Sequence, residues 1–243
     1  MAFVHGKNTV VLFGGSNLSA YFNDSSTSES VEVGETTTYG AEGSSKSYIA
    51  GHNDGTISLS GLFDGSANAV DEVMTATLGT DTPVATLVAS EGVAIGKRVK
   101  IASVEQTSHE ITSPVADVVS LSAELQATGG IRSAVSLHAL GAESSSTASA
   151  SVDNSASSGN GGTAQIHAPA NTRDGNTTVK VQHSADDSVW ADLVTFTVIA
   201  GGSTASERAT VAAGTTVNRY LRANSTLAGS TGTITYTVAF ARS

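Results

Sequence analysis

The 243-residue chain reads as mainly β, and three observations carry that reading. It has 25 glycines, three prolines, abundant Ser, Thr, Ala and Val, and few Lys or Glu. β-Branched residues suit a pleated surface, and Gly and Ser suit turns. In residues 55–65, Thr56, Ser58 and Ser60 alternate with Ile57 and Leu59, and Gly61 and Phe63 continue the apolar side, the period of a half-buried strand. In residues 115–125, Val115, Val119, Leu121, Ala123 and Leu125 share a face with Asp117, while Ser120, Ser122, Glu124 and Gln126 face the other way.

Taken in order, residues 8–14 and 18–22 are the first strands, around the turn-prone Gly14-Gly15-Ser16-Asn17. Residues 23–53 are polar and rich in Gly, Ser and Thr, with one strand candidate at 31–39. A weakly structured stretch this long is uncommon inside a compact domain unless it pairs with something outside, so it is read as an arm that contacts neighbours. Asp64-Gly65 ends the central strand. Ser66 is the N-cap candidate of a short helix with Val70, Val73, Met74 and Leu78 on one stripe and Gly79 as terminator. Residues 83–88 and 98–111 supply further strands. Gly129-Gly130 turns the chain from the 115–125 strand into a last one carrying Ile131, Val135, Leu137 and Ala139, which closes the domain as a hairpin.

Charge divides the chain. Residues 1–142 carry 15 acidic and 6 basic side chains, a balance of -9, and residues 164–243 carry 5 and 6, a balance of +1. Between them, residues 143–163 hold one apolar residue larger than Ala, too little to offset the entropy of ordering, and read as a Ser/Gly-rich linker. The expected organisation is a barrel- or sandwich-type β domain with one short helix and a long arm over 1–142, the linker over 143–163, and a small β-sandwich over 164–243. In the latter, residues 177–184, 190–199, 206–212, 217–223 and 233–242 are strand candidates, with 164–168 as a sixth. Trp190, Val194, Phe196 and Val198 share one face, as do Ile234, Tyr236, Val238 and Phe240, and these residues are expected to form its core.

No catalytic, cofactor or metal site emerges. Histidines 5, 52, 109, 138, 167 and 183 are scattered with no metal-ligand spacing, and the chain has no cysteine. Asp186-Asp187 reads as a solvated turn. Gly14-Gly15-Ser16 lacks the Gly-Lys-Ser/Thr ending of a phosphate loop. The N-terminus lacks a signal-peptide pattern and no stretch approaches the ~18 apolar residues of a membrane span, so the chain is expected to be made in a cytoplasm, without membrane insertion. A formal charge of -10 argues against general nucleic-acid affinity. Trp190 and Arg219-Tyr220-Leu221-Arg222 offer a competing surface reading, as a platform for carbohydrate.

The run Glu35-Thr36-Thr37-Thr38-Tyr39-Gly40, then Lys46-Ser47-Tyr48-Ile49-Ala50-Gly51, then the strand over 55–64, resembles major tail tube proteins of tailed bacteriophages with long non-contractile, siphovirus-type tails. The closing arrangement from residue 115 to near Leu140 resembles them as well, so the likeness covers about residues 1–142. The stretches Val181-Gln182-His183-Ser184-Ala185-Asp186 with Trp190, and Val217-Asn218-Arg219-Tyr220-Leu221-Arg222, are similar to small β-sandwiches appended to phage virion proteins. The resemblance implies a non-enzymatic virion protein assembled in the host cytoplasm as stacked hexameric rings around a channel for DNA. Its implied partners are copies of itself and other tail proteins (tape measure, terminator, distal tail), with DNA passing through unbound. The acidity of the first domain is then expected to line a lumen that repels phosphate, and the 164–243 domain to sit outside the tube, with weak host-surface or glycan contact. Two alternatives stay open: a carbohydrate-binding or adhesion protein, and another tail component such as a minor tail or terminator protein.

Overall fold

The computed structural model describes residues 4–39 and 45–243; Met1 to Phe3 of the N-terminal reading and Gly40 of the resemblance lie outside them. The chain is mainly β, with antiparallel pairing throughout the registers it shows. In order, its strands are β1 (Val10–Phe13), β2 (Ser16–Asn17), β3 (Phe22–Glu35), β4 (Tyr48–Leu62), β5 (Val84–Ala89), β6 (Arg98–Thr112) and β7 (Ser120–Glu143). There follow β8 (Thr147–Ala148), β9 (Val152–Asp153), β10 (Gly162–Asn171), β11 (Thr177–Ser184), β12 (Ala191–Thr195), β13 (Ala205–Val211), β14 (Tyr220–Leu227) and β15 (Ile234–Arg242). One helix, α1 (Val70–Thr75), lies between β4 and β5. Among the described residues no helix is long and apolar enough to cross a membrane.

The chain forms two compact units whose boundaries differ from those expected. Unit 1 comprises residues 1–21, 84–101 and 132–243; unit 2 comprises 22–83 and 102–131. β6 and β7 each contribute residues to both.

In unit 1, β15 is flanked by β10 on one side and by the second half of β7 on the other, with Val238 opposite His138 and Phe240 opposite Val135. Strands from the expected tube domain and the expected appended domain therefore share one sheet. β10 is buried on both faces. Ala164, Ile166 and Ala168 enter a core with Val179, Val181, Phe196, Leu221, Tyr236, Val238 and Phe240, which joins this sheet to the one ordered β12-β11-β14-β8. On the opposite face Ala239 and Ala241 of β15 pack with Leu12, Leu87, Val99 and Ile101. The two-domain division is thus corrected, and no closed barrel forms: the strand order β13-β10-β15-β7-β6-β5-β1-β2 is an open path. Pairing between residues a hundred positions apart leaves no local pattern to read.

The expected linker is also ordered. β8 and β9 pair with β14, Ser158 bridges Val217, and Arg219 forks onto the Asp153 carboxylate with two bonds of 2.6 Å. The buried Arg173 guanidinium donates to the carbonyls of Ser144, Ala228, Gly229 and Gly232. Arg242 likewise donates to Ala156, Val217, Asn218 and Arg219 carbonyls and to Ser158 Oγ. Hydrogen bonds to an existing strand edge and to three arginines order a segment with almost no apolar side chains to bury.

In unit 2 the central strand is longer than its signal, since β4 begins at Tyr48. Ile57 and Leu59 are buried as expected, and β4 pairs with the first part of β7, Ile57 opposite Leu125 and Leu59 opposite Ala123. α1 is shorter than expected. Its N-cap is Ala69, not Ser66, and makes no side-chain cap bond; Val70 and Met74 are buried, whereas Leu78 lies past the helix and is exposed. Val115 also departs from expectation, fully exposed in the loop before β7. Gly129-Gly130 makes no hairpin. Both residues take left-handed backbone angles (φ 75° and 74°) inside β7, which continues unbroken to Glu143, a bend that glycine accommodates without a Cβ clash.

Candidate functional site

The expected arm is a regular hairpin of β3 and β4. Their register runs from Phe22 opposite Gly61 to Glu35 opposite Tyr48, with irregularities at each end. β4 changes character at Gly55. From Gly55 to Gly61 buried and half-buried residues alternate, with β3 on one edge and β7 on the other; from Tyr48 to Asp54 every residue is exposed. A Cβ on Gly55 would come 2.9 Å from Ile131 Cγ1, so glycine permits the close packing at this junction. Gln126 of β7 closes the three-stranded part by bonding the Asp54 carboxylate and the Gly55 carbonyl.

Beyond that junction the hairpin is two-stranded among the described residues, over about 20 Å at the usual rise per residue. The ladder holds through Glu35–Lys46 at 2.9 Å, Thr36 N–H to the Ser47 carbonyl at 2.8 Å, and Ser47 N–H to Thr37 Oγ1 at 3.0 Å. It carries Val31, Val33, Tyr48 and Ile49, each about half exposed or more, with a shallow hollow between the strands at Val33, Gly34, Ile49 and Ala50. Among the described residues β3 pairs only with β4, so its outer edge offers N–H and C=O groups to another strand. A bare two-stranded hairpin with apolar side chains in water is marginal alone, and a partner would complete it.

The units differ more in charge than the two halves of the sequence do. Unit 2 contains 14 acidic residues and one basic residue, Lys46, a balance of -13; unit 1 contains 8 and 11, a balance of +3. β3 alone carries Asp24, Glu29, Glu32 and Glu35.

The histidines are not gathered. Among the described residues no cluster of three or more metal-ligating side chains occurs. His138 stacks on Tyr236 with centroids 4.1 Å apart, and its Nε2 lies 3.3 Å from Glu143. His109 Nε2 lies 3.0 Å from Asp71 of α1. His167 is fully buried: Nδ1 donates to the Gly14 carbonyl, Nε2 accepts from Gln165, and Gln165 also donates to the Thr86 carbonyl. Burial pushes its pKa down to about 4. Asp186 forms the expected turn, accepting from the Ser188 and Val189 N–H groups, which hold its carboxyl well below the usual range; Asp187 beside it has φ 61°.

Trp190 is not the core residue expected. It is half-buried, with the Arg222 guanidinium 4.1 Å from its ring centroid, and Val198 is exposed, whereas Val194 and Phe196 are buried. Arg222 donates to Gln182, and Gln182 and Lys180 donate to Asp192, in a polar row across β14, β11 and β12. The row was not legible as a row because Arg222 lies forty positions from Gln182 and its members meet only through strand register.

No family model matches the chain, and no curated protein matches it. Among solved structures it is similar to a chain of the virion of a native gene transfer agent particle, at 14% identity and TM-score 0.45, over 54% of this chain and 98% of that one. It is similar to a chain from the tail of an empty gene transfer agent particle with C6 symmetry, at 16% identity and TM-score 0.45, over 53% and 97%. It is also similar to the Dit protein of SPP1, described as a paradigm of the hub adsorption apparatus in phages infecting Gram-positive hosts, at 12% identity and TM-score 0.37, over 96% and 98%.

Proposed function

We propose that this chain is a structural subunit of a phage tail that polymerises through the β3–β4 hairpin, as stacked hexameric rings forming the tube through which DNA leaves. The observation that carries the reading is the bare distal hairpin, with an unpaired outer edge and exposed Val31, Val33, Tyr48 and Ile49. Heterologous contacts of such an edge close into rings laterally and propagate as filaments axially. The sequence resemblance supplies the tail. Acid side chains of unit 2 left facing a channel would repel phosphate and let DNA slide.

Electron microscopy of the purified full chain tests this, beside a variant in which Asn-Gly replaces residues 31–53. Hollow tubes or rings from the full chain, absent from a variant that still melts cooperatively, are the expected result. Discrete caps that never elongate would favour a terminator or hub component, and a monomer under all conditions would overturn the reading.

The Trp190–Arg222–Gln182–Asp192 row favours one second reading, a carbohydrate-binding face. Trp190 is the lone tryptophan, so its fluorescence reports directly: a saturable shift with soluble oligosaccharides supports that reading, and unchanged emission counts against it.

A further inference from the structure

The outer face of the β12-β11-β14-β8 sheet, within unit 1, holds a guanidinium whose donors are only partly used. Val179, Val181, Leu221 and Ala223 point into the core, so the alternate residues Lys180, Gln182, Tyr220 and Arg222 line the opposite face, each partly exposed, with Gln182 opposite Arg222. Charge on this face cancels in pairs except at Arg222. Lys180 lies 2.6 Å from Asp192, and Arg219, just before β14, forks onto Asp153 of β9. His183 of β11 accepts from the Asn218 N–H, and burial lowers its pKa, so it stays uncharged at neutral pH. Arg222 takes part in no ion pair among the described residues.

Arg222 is also held in place. Its guanidinium carbon lies 4.1 Å from the Trp190 ring centroid, its Nε donates to Gln182 at 2.9 Å, and Gln182 is fixed in turn by donating to Asp192. Its terminal nitrogens, Nη1 and Nη2, make no hydrogen bond among the described residues and are not sealed from solvent. A guanidinium fixed at Nε with its other edge open is pre-organised for an oxyanion, since little side-chain freedom remains to be lost.

We propose that Arg222 receives the oxyanion of an acidic saccharide, a sugar carboxylate or sugar phosphate, which accepts from Nη1 and Nη2 while the sugar ring lies against Trp190 and Tyr220. Trp190 is partly exposed beside the exposed Val189, and Tyr220 shares the face of Arg222 two residues away. Aromatic rings flanking a few fixed polar groups suit a ligand that presents both C–H and oxygen-bearing surface. A neutral sugar gains nothing from the uncompensated charge, whereas an acidic one gains charge-assisted bonds. This rests on the carbohydrate-binding reading of the same row and names the class of sugar it takes.

Calorimetric titration of the full chain tests the site, with galacturonic acid oligomers and phosphorylated mannose oligomers set beside neutral galactose and mannose oligomers of equal length. The expected result is that an acidic series binds about tenfold or more tightly than its neutral counterpart, a ~1.4 kcal/mol difference, and that NaCl weakens this binding. Whichever acidic series prevails identifies the source of the oxyanion. Arg222→Met should abolish the preference, and Arg222→Lys, which keeps the charge without the fork, should restore part of it. Circular dichroism checks folding of both variants, and the salt dependence of the wild type stands independently of either. Equal affinity for acidic and neutral series, or a preference that survives in folded Arg222→Met, would overturn the site while leaving the carbohydrate reading standing. If polyglutamate binds as tightly as the acidic sugars, the occupant is a protein carboxylate and the proposal fails. A chain that binds no saccharide removes both.

Discussion

Unit 1 and unit 2 solve opposite problems. Unit 1 buries strands on both faces: β10 and β15 are covered from either side, the terminal nitrogens of Arg173 and Arg242 donate to carbonyls, and His167 donates to the Gly14 carbonyl. Unit 2 spends half of its longest hairpin in water and carries 14 acids against one base. Residues that satisfy one another hold a fold, and residues left unsatisfied are available to a neighbour. On this account intramolecular stability resides in unit 1 and association in the unit 2 hairpin.

The largest expected effect breaks the comparison from the side of unit 1. Phe240→Ala, in the core shared by the two sheets, should cost about 3–5 kcal/mol in denaturant unfolding. Arg173→Met, which leaves the carbonyls of Ser144 and the 228–232 turn without their donor, should cost about 3 kcal/mol and raise hydrogen exchange in residues 143–163. An unchanged exchange rate there would mean that strand pairing alone orders the segment.

Acid sharpens the contrast next. The folded-state pKa of His167, about 4, lies below the ordinary 6.5, so the native state binds fewer protons than the unfolded chain. Its contribution is complete above pH 6.5 and is lost as pH falls toward 4, about 3 kcal/mol in all. Unfolding free energies at pH 7 and pH 4 should differ by that much more in wild type than in a well-folded His167→Gln variant. The smallest expected effect on stability is in the arm. Val33→Ser with Ile49→Ser should move the unfolding free energy by no more than about 0.5 kcal/mol each, yet abolish assembly; a large drop in stability would mean the hairpin is held intramolecularly.

The sequence revealed what has a local period. β11 spans residues 177–184 as the alternation indicates, β6 and β15 lie within a residue of expectation, and Ile57, Leu59, Leu121 and Leu125 are buried as read. Alternation failed where it was not used: Val115 extends the pattern of β7 on paper but lies in a loop, and Gly129-Gly130, a turn by composition, bends a continuous strand. Residues 143–163 looked disordered because their order comes from Arg173, Arg242 and the edge of β14, not from apolar burial. The arm looked loose for the related reason that a hairpin exposed on both faces need not alternate. Of the candidate site, its place in the chain was legible; its regular pairing was not, because side chains exposed on both faces leave no alternation to read.

Hydrogen exchange with mass spectrometry, on the full chain before and after assembly, tests the division of labour most directly. The account predicts that β10 and β15 are protected in both states, whereas amides of β3 and of β4 up to Asp54 exchange freely in the dispersed chain and become protected on assembly. Arm amides that are already slow in the dispersed chain, or that gain no protection in the assembled one, would contradict it.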